Sequence, residues 1–258
     1  MEPGSLKYKR AISLDTTFNK QLMTYVFDID GTLTPSRLKM DQGFQEWFFR
    51  FMESNKVWLV TGSDKDKTIE QIGEEMWTKV DRVYQCSGNV LYINGVEKRR
   101  NDFDLPDYYE EKLNMLLSKS TYPVRAGNHI EKRQGLVNFS IVGRDCTQEQ
   151  RDAYGKWDDK NKEREDISWE LNSRYPWIEV VKGGQISVDI YEEGKNKAQI
   201  LDDLEGNYTF FGDHMQPGGN DYPVFKRAEE LGKLKGNRYI EVNGWEQTFN
   251  HLKSIWNK

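Results

Sequence analysis

The sequence predicts an α/β protein: a doubly wound, Rossmann-like parallel core interrupted by an inserted α+β cap domain. Three observations predict this. Short apolar runs alternate with amphipathic helical stretches at both ends of the chain, as in a helix-covered parallel sheet. Between about Asn101 and Gly194 that alternation gives way to polar helices and strands suited to an antiparallel sheet. Acidic and hydroxyl residues also gather where apolar runs end, the place where open α/β sheets bind ligands.

In order, Tyr25–Ile29 reads as a buried strand, and about Met40–Glu53 as a helix with Phe44, Trp47, Phe48 and Phe51 on one face. A strand over Lys56–Val60 leads through Thr61-Gly62-Ser63 to Asp64, which caps a helix reaching about Met76. Arg82–Gln85 is a short strand. Val90–Ile93 and Val96–Lys98 form a hairpin around Asn94-Gly95. In the insertion, a helix over about Pro106–Ser118 precedes a strand over Leu136–Ile141. Thr147 with Gln150 forms a capping box that opens a long polar helical stretch to Asn172. Two strands follow, Ile178–Val181 and Gln185–Tyr191. The alternating pattern resumes at Lys195 with a helix to Asp203, a strand over Tyr208–Phe211, a Gly-rich loop and a helix from about Asp221. A strand over Arg238–Val242 and a helix to Trp256 finish the chain. The expected division is an arm or tag remnant over 1–21, a core over 22–100 and 195–258, and a cap over 101–194.

Composition narrows the function. Among 258 residues the net charge is −5, which argues against a dedicated nucleic-acid binder and makes Lys98-Arg99-Arg100 solvated surface. No apolar run approaches the roughly 20 residues that span a bilayer, and no apolar block marks a signal peptide, so no membrane partner is expected. Cys86 and Cys146 lack metal-ligand spacing and predict reduced thiols in a cytoplasmic protein. Three scattered histidines, His129, His214 and His251, argue against zinc.

Asp28 and Asp30 stand two residues apart where a strand meets the Gly31-Thr32 turn. Alone, such a pair suits a solvated turn. A second acidic loop at a strand end, Gly212-Asp213 followed by Gly218-Gly219-Asn220-Asp221, turns the reading toward chemistry. A carboxylate can take a phosphoryl group as an aspartyl phosphate, and a divalent cation with oxygen ligands then offsets the repulsion between the two anions. Thr61 and Ser63 offer hydroxyls to phosphate and Lys197 a counter-charge, although singly each suits a helix cap or a surface lysine.

As a set, Asp28-Ile29-Asp30-Gly31-Thr32-Leu33-Thr34, Val60–Asp64, Lys197 and Phe211–Asp221 resemble the four motifs of the haloacid dehalogenase (HAD) superfamily. Pro217-Gly218-Gly219-Asn220-Asp221, Gly183–Asp189 and the arginines of the insertion narrow the resemblance to eukaryotic-type phosphomannomutase, along most of the chain from Tyr25. That resemblance implies a HAD-like core and an interconversion of mannose 6-phosphate and mannose 1-phosphate through an aspartyl phosphate and a hexose 1,6-bisphosphate. It implies Asp28 as nucleophile, Asp30 as general acid/base and Lys197 as neutralising group. Mg²⁺ would be bound by Asp28, the Asp30 carbonyl and Asp213, with Asn220 and Asp221 supporting the loop. Ser63 and the Thr61 and Gly62 amides would hold the transferring phosphoryl group, and Arg37 would face the substrate. Hexose phosphates are the implied partners, hexose 1,6-bisphosphate the activator, and a homodimer through the cap the implied assembly.

The insertion decides between mutase and phosphatase. Arginine suits bidentate phosphate recognition, so Arg133, Arg144 and Arg151 are expected to hold the distal phosphate, with Ser187 and Asp189 on sugar hydroxyls. An ordinary surface arrangement would instead pair these arginines with Glu131, Asp145 and Glu149. The rivals are a Mg²⁺-dependent sugar-phosphate phosphatase of the same fold and a non-catalytic sugar-phosphate-binding protein. Four positions, at three places, depart from the family pattern. His214-Met215 replace a usual Lys-Thr, Lys132 stands where an aromatic is usual, and Arg227 occupies the place of an acidic ligand, which speaks against a second cation site.

Overall fold

The computed structural model describes residues 23–256; the expected arm over 1–21 lies outside them. Strands β1 (Thr24–Phe27), β2 (Lys56–Val60), β3 (Arg82–Gln85), β4 (Val90–Ile93) and β5 (Val96–Arg100) join β10 (Tyr208–Gly212) and β11 (Arg238–Glu241) in one sheet. Its order is β11-β10-β1-β2-β3-β4-β5, parallel from β11 to β3 and antiparallel through β4 and β5. β1 lies between β2 and β10, so connections leave it in opposite directions. This is the topological switch point, where a crevice opens beyond the strand ends.

Helix α1 (Gln42–Met52) starts at Asp41, whose carboxylate accepts from Phe44 N at 2.9 Å. It buries Phe44, Phe48 and Phe51 in the core, Phe48 edge-on to Phe27, with Phe27 stacked on Phe211 at 4.9 Å between ring centroids. Each such ring removed from water contributes about 1.5–3 kcal/mol. This packing fixes the relative depth of β1 and β10, and with it the heights of the carboxylates that follow them.

The expected helix to Met76 is two helices, α2 (Lys65–Ile72) and α3 (Glu74–Lys79), broken at Gly73 (φ +80°). Asp64 caps α2 as expected, accepting from Lys67 N at 2.9 Å. The Asn94-Gly95 hairpin also forms, with both residues at positive φ (50° and 74°), as its two-residue turn demands.

The insertion carries helix α4 (Asp107–Lys119) and a four-stranded antiparallel sheet, β6-β7-β9-β8, made of β6 (Ile130–Arg133), β7 (Leu136–Ser140), β8 (Ile178–Gly183) and β9 (Ser187–Glu192). β6 was not expected. Thr147 and Gln150 form the full capping box of α5 (Gln148–Asn161). The polar helical stretch is interrupted at Lys162 (φ 59°), beyond which α6 (Glu163–Arg174) begins. The expected helix after Lys195 is a 3-10 turn over Lys197–Gln199 and a single turn, α7 (Ile200–Asp203). Helices α8 (Tyr222–Glu230) and α9 (Trp245–Ile255) complete the chain.

The two sheets meet closely at Gly135, in the β6–β7 turn (φ +71°). A Cβ there would lie 2.3 Å from Asn89 Cβ and 2.5 Å from the Asn101 carbonyl oxygen. Gly135→Ala is therefore expected to cost about 2–4 kcal/mol, from positive-φ strain and overpacking together. Urea unfolding checks this; an unchanged midpoint would contradict so tight a contact.

Candidate active site

The carboxyl ends of three adjacent strands supply the site. Asp28 follows β1, and its amide still donates to Phe211 O at 2.9 Å, so the expected strand stops at Phe27 and the aspartate opens the loop. Ser63 lies beyond β2, and Asp213 directly follows β10. The chain turns away from Asp28 at Gly31, where a Cβ would sit 2.1 Å from Asp213 Oδ2. Only a residue without a side chain lets the two acidic loops come this close.

Lys197 is fully buried between two carboxylates, with Nζ 2.6 Å from Asp28 Oδ1 and 2.7 Å from Asp221 Oδ1. The other oxygen of Asp221 accepts from the backbone amides of Asp213 and His214, each at 3.1 Å. Asp28, Asp213 and Asp221 bring one oxygen each within 4.8 Å of one another. Burial raises the pKa of Asp28; Lys197 opposes the rise, while Asp221 and Asp213 add to it. Burial also raises Asp213, against the pull of its bond with His214 at 2.6 Å. Burial alone would lower Lys197, but Asp221 and Asp28 outweigh it and hold the ammonium charged. Three clustered carboxylates against one lysine leave an excess of negative charge, and an all-oxygen acidic cluster of this kind suits a hard divalent cation. The Asn220 side-chain oxygen, buried nearby without a hydrogen-bond partner, is a further free acceptor.

Asp30 is held by three donors: Arg37 N at 2.5 Å and Gln71 Nε2 at 3.0 Å on one oxygen, Ser63 Oγ at 3.3 Å on the other. Thr61 does not reach the cleft. Its amide donates to Tyr84 O at 2.8 Å, extending the β2–β3 ladder, and its hydroxyl accepts from Ser63 N at 3.0 Å. It shapes the turn that presents Ser63, and its amide is already committed, so the expected contact of that amide with phosphate is not what this geometry offers.

Across the cleft stand the cap residues. Asp28, Asp30, Arg37, Gly62, Ser63, Arg133, Arg144, Arg151, Ser187, Asp189, Asp213 and Asn220 all line one cleft. Lys197 and Asp221 lie beneath its floor. Arg133 and Arg144 share one acceptor, Glu131 Oε2, at 2.5 Å and 3.0 Å; Arg133 also donates to Gly62 O of the core at 2.9 Å. Burial raises Glu131, but the two arginines outweigh it and hold the carboxyl below its usual range. Burial and the neighbouring Arg133 and Arg37 push Arg144 down to about 10, against Glu131. Among the described residues, no ion pair joins these arginines to Asp145 or Glu149, and Arg151 makes none at all. The cap thus holds more positive charge than it compensates, facing an excess of negative charge in the core.

Several supporting residues were not foreseen. Asn138 donates to Ser187 Oγ at 2.9 Å and to Asp189 Oδ1 at 2.6 Å, fixing both side chains. Arg164 pairs with Asp158 at 2.8 Å and donates to Gly184 O at 2.8 Å, holding the β8–β9 turn. Gln71 braces Asp30. Of the three departures, His214 lines the cleft against Asp213, Lys132 pairs with Glu110, and Arg227 is exposed beside Glu230 at 3.4 Å. Both cysteines are buried and free, and no described helix is long and apolar enough to cross a membrane.

The fold resembles the C-terminal domain of Candida albicans trehalose-6-phosphate phosphatase, with a TM-score of 0.64 at 17% identity over 92% of each chain. In sequence the chain is 32% identical to mouse phosphomannomutase 1 over 236 residues, covering 86% of this chain and 90% of the mouse protein. It is 33% identical to the phosphomannomutase of Encephalitozoon cuniculi over 225 residues, 83% and 88% of the two chains. The family model described as eukaryotic phosphomannomutase matches residues 44–257. A cleft with carboxylates on its floor and arginines in its roof is thus found in a chain that belongs to the eukaryotic phosphomannomutase family.

Proposed function

We propose that the protein is a phosphomannomutase that interconverts mannose 6-phosphate and mannose 1-phosphate. The observation that carries the reading is the facing of two unlike charge clusters across one cleft: Asp28, Asp30 and Asp213 below, Arg133, Arg144 and Arg151 above. A phosphatase needs only the lower one. A mutase passes through a bisphosphate and must hold one phosphate away while the other reacts.

Asp28, phosphorylated at the outset by hexose 1,6-bisphosphate, is the carrier. Asp30 takes the proton from the C1 hydroxyl of mannose 6-phosphate as that oxygen attacks phosphorus. The bond from phosphorus to the Asp28 oxygen breaks, giving mannose 1,6-bisphosphate. The bisphosphate turns over in the cleft. Asp28 then attacks the 6-phosphoryl group, the bond to O6 breaks, and Asp30 returns its proton to O6. Lys197 offsets charge on Asp28, and Ser63 and the Gly62 amide hold the transferring group. Arg37 faces the sugar phosphate, the three cap arginines bind the distal phosphate, and Ser187 and Asp189 bind sugar hydroxyls. Asp28, Asp213 and the Asp30 carbonyl would hold Mg²⁺, with Asn220 and Asp221 supporting that loop. When bound, the ion supplies a Lewis acid that draws charge from the phosphoryl oxygens. Residues 101–194 act as a cap that closes over the core and excludes water from the phosphoenzyme.

The reading extends to a cytoplasmic homodimer joined through the cap. Free thiols at Cys86 and Cys146 support the compartment; Trp169, 72% exposed on α6, and Tyr108, 53% exposed on α4, support the surface.

The test is a product assay. With Mg²⁺, mannose 1-phosphate and a trace of glucose 1,6-bisphosphate, the expected product is mannose 6-phosphate. Stoichiometric release of inorganic phosphate would replace this reading with a phosphatase, and glucose 1-phosphate assayed beside it reads the hexose preference.

A further inference from the structure

Lys197 begins a three-residue 3-10 turn, within which Gln199 N donates to Asn196 O at 3.1 Å and Ile200 N to Lys197 O. The residue before it sets its place. Asn196 is buried, and its side-chain oxygen accepts from Ala198 N at 2.9 Å, capping the turn. The amide nitrogen of the same side chain donates to Glu179 Oε2 at 2.6 Å. Glu179 lies on β8, an edge strand of the cap sheet. Three residues further along that strand, Lys182 N donates to Gly218 O at 3.2 Å, and Lys182 forms a lone β-bridge with Gly219. Both glycines belong to the loop between Asp213 and Asp221. One cap strand therefore touches the turn that carries Lys197 and the loop that carries the acidic cluster.

We infer that Glu179 is a positioning residue: through Asn196 it seats Lys197 between Asp28 and Asp221 when β8 lies against the core. This deepens the proposed phosphoryl transfer and rests on it. Glu179 does not line the substrate cleft, so its effect runs through the lysine and not through substrate contact. Docking of the cap and placement of the lysine become one event, because the same side chain belongs to both.

The variants that test this separate the link from a plain tether. Glu179→Ala leaves the Asn196 amide without its acceptor; the expected result is kcat about tenfold lower with KM within about twofold. Asn196→Asp keeps the oxygen that caps Ala198 N but loses the donor and sets a carboxylate against Glu179, and it should fall likewise. Glu179→Gln combined with Asn196→Asp restores the bond with donor and acceptor exchanged. In that double variant kcat should return to within about twofold of wild type. A Glu179→Ala enzyme with kcat within twofold of wild type overturns the inference, as does a double variant as slow as Asn196→Asp alone. Failure of the mutase reading shows separately, as a wild-type protein that releases only inorganic phosphate. The same pattern of loss and rescue is then read on the rate of phosphate release, since Lys197 serves the first transfer in either reaction.

Discussion

Asp28→Asn is expected to abolish phosphoenzyme formation and to lower mutase turnover by at least about 10⁴-fold, while the protein stays folded. The amide has the shape of the carboxylate without its nucleophilic charge. The unchanged stability follows from the electrostatics. Burial disfavours the Asp28 charge, Asp221 and Asp213 repel it, and only Lys197 favours it. A neutral amide removes those penalties, and Lys197 retains Asp221 at 2.7 Å. The melting temperature should therefore stay within a few degrees of wild type or rise, the usual relation between a strained functional site and stability. Acid-quenched phosphoenzyme, turnover and thermal melting measured together check it. Retained turnover would remove Asp28 from the chemistry, and a melt lowered by more than about 10 °C would contradict that charge balance.

Lys197→Met is expected to damage both properties. Lys197 is fully buried and, among the described residues, is the only lysine or arginine paired with Asp28 and Asp221. Removing it leaves two buried carboxylates facing each other uncompensated, a loss of about 3–5 kcal/mol. In a protein of this size that corresponds to a fall of about 10 °C or more. Turnover should drop about 10³-fold, the magnitude of losing a preorganised charge at a transition state. Mg²⁺ should recover more of the melting temperature in the variant than in wild type, because a divalent cation offsets the same carboxylates. Melting curves in Mg²⁺ and in EDTA read this directly. A variant that melts as wild type does in EDTA would show that the lysine is not the compensating charge.

The two variants bear on different parts of what the sequence makes legible. Asp28, Asp30 and Asp213 can be picked out because charges at the ends of apolar runs contradict burial, and that contradiction is local. The same holds for the Thr147–Gln150 capping box and the Asn94-Gly95 turn, where spacing alone states the geometry. β6 is not legible: Ile130-Glu131-Lys132-Arg133 shows no alternation, because it is a partly exposed edge strand with little apolar face to reveal it. The break at Lys162 is hidden as well, since lysine is a good helix former and its left-handed backbone carries no side-chain signature. Gln71, Asn138 and Arg164 escape notice for a further reason. Asp30 is 41 residues from Gln71 and Asp189 is 51 from Asn138, and only the folded chain brings the donors to their acceptors. Thr61 shows the reverse error, a motif residue whose amide is spent on the sheet before any ligand could use it.

β5 closes one side of the core sheet with Val96-Glu97-Lys98-Arg99-Arg100, a strand almost without apolar faces. Arg100 pairs with Glu97 at 2.6 Å and Arg99 reaches Asp203 at 3.0 Å, so the charges are anchored without being hidden. An outer strand offers unused backbone donors and acceptors to any other chain in an extended conformation. Behind this one lie strands rich in Val, Leu, Trp and Phe, the composition that grows into stacked aggregates once an edge is open. Two copies approaching side by side along β5 would have to desolvate and oppose three adjacent cations on each strand. The same short basic run that reads as ordinary surface therefore disfavours pairing between copies along this edge of the sheet.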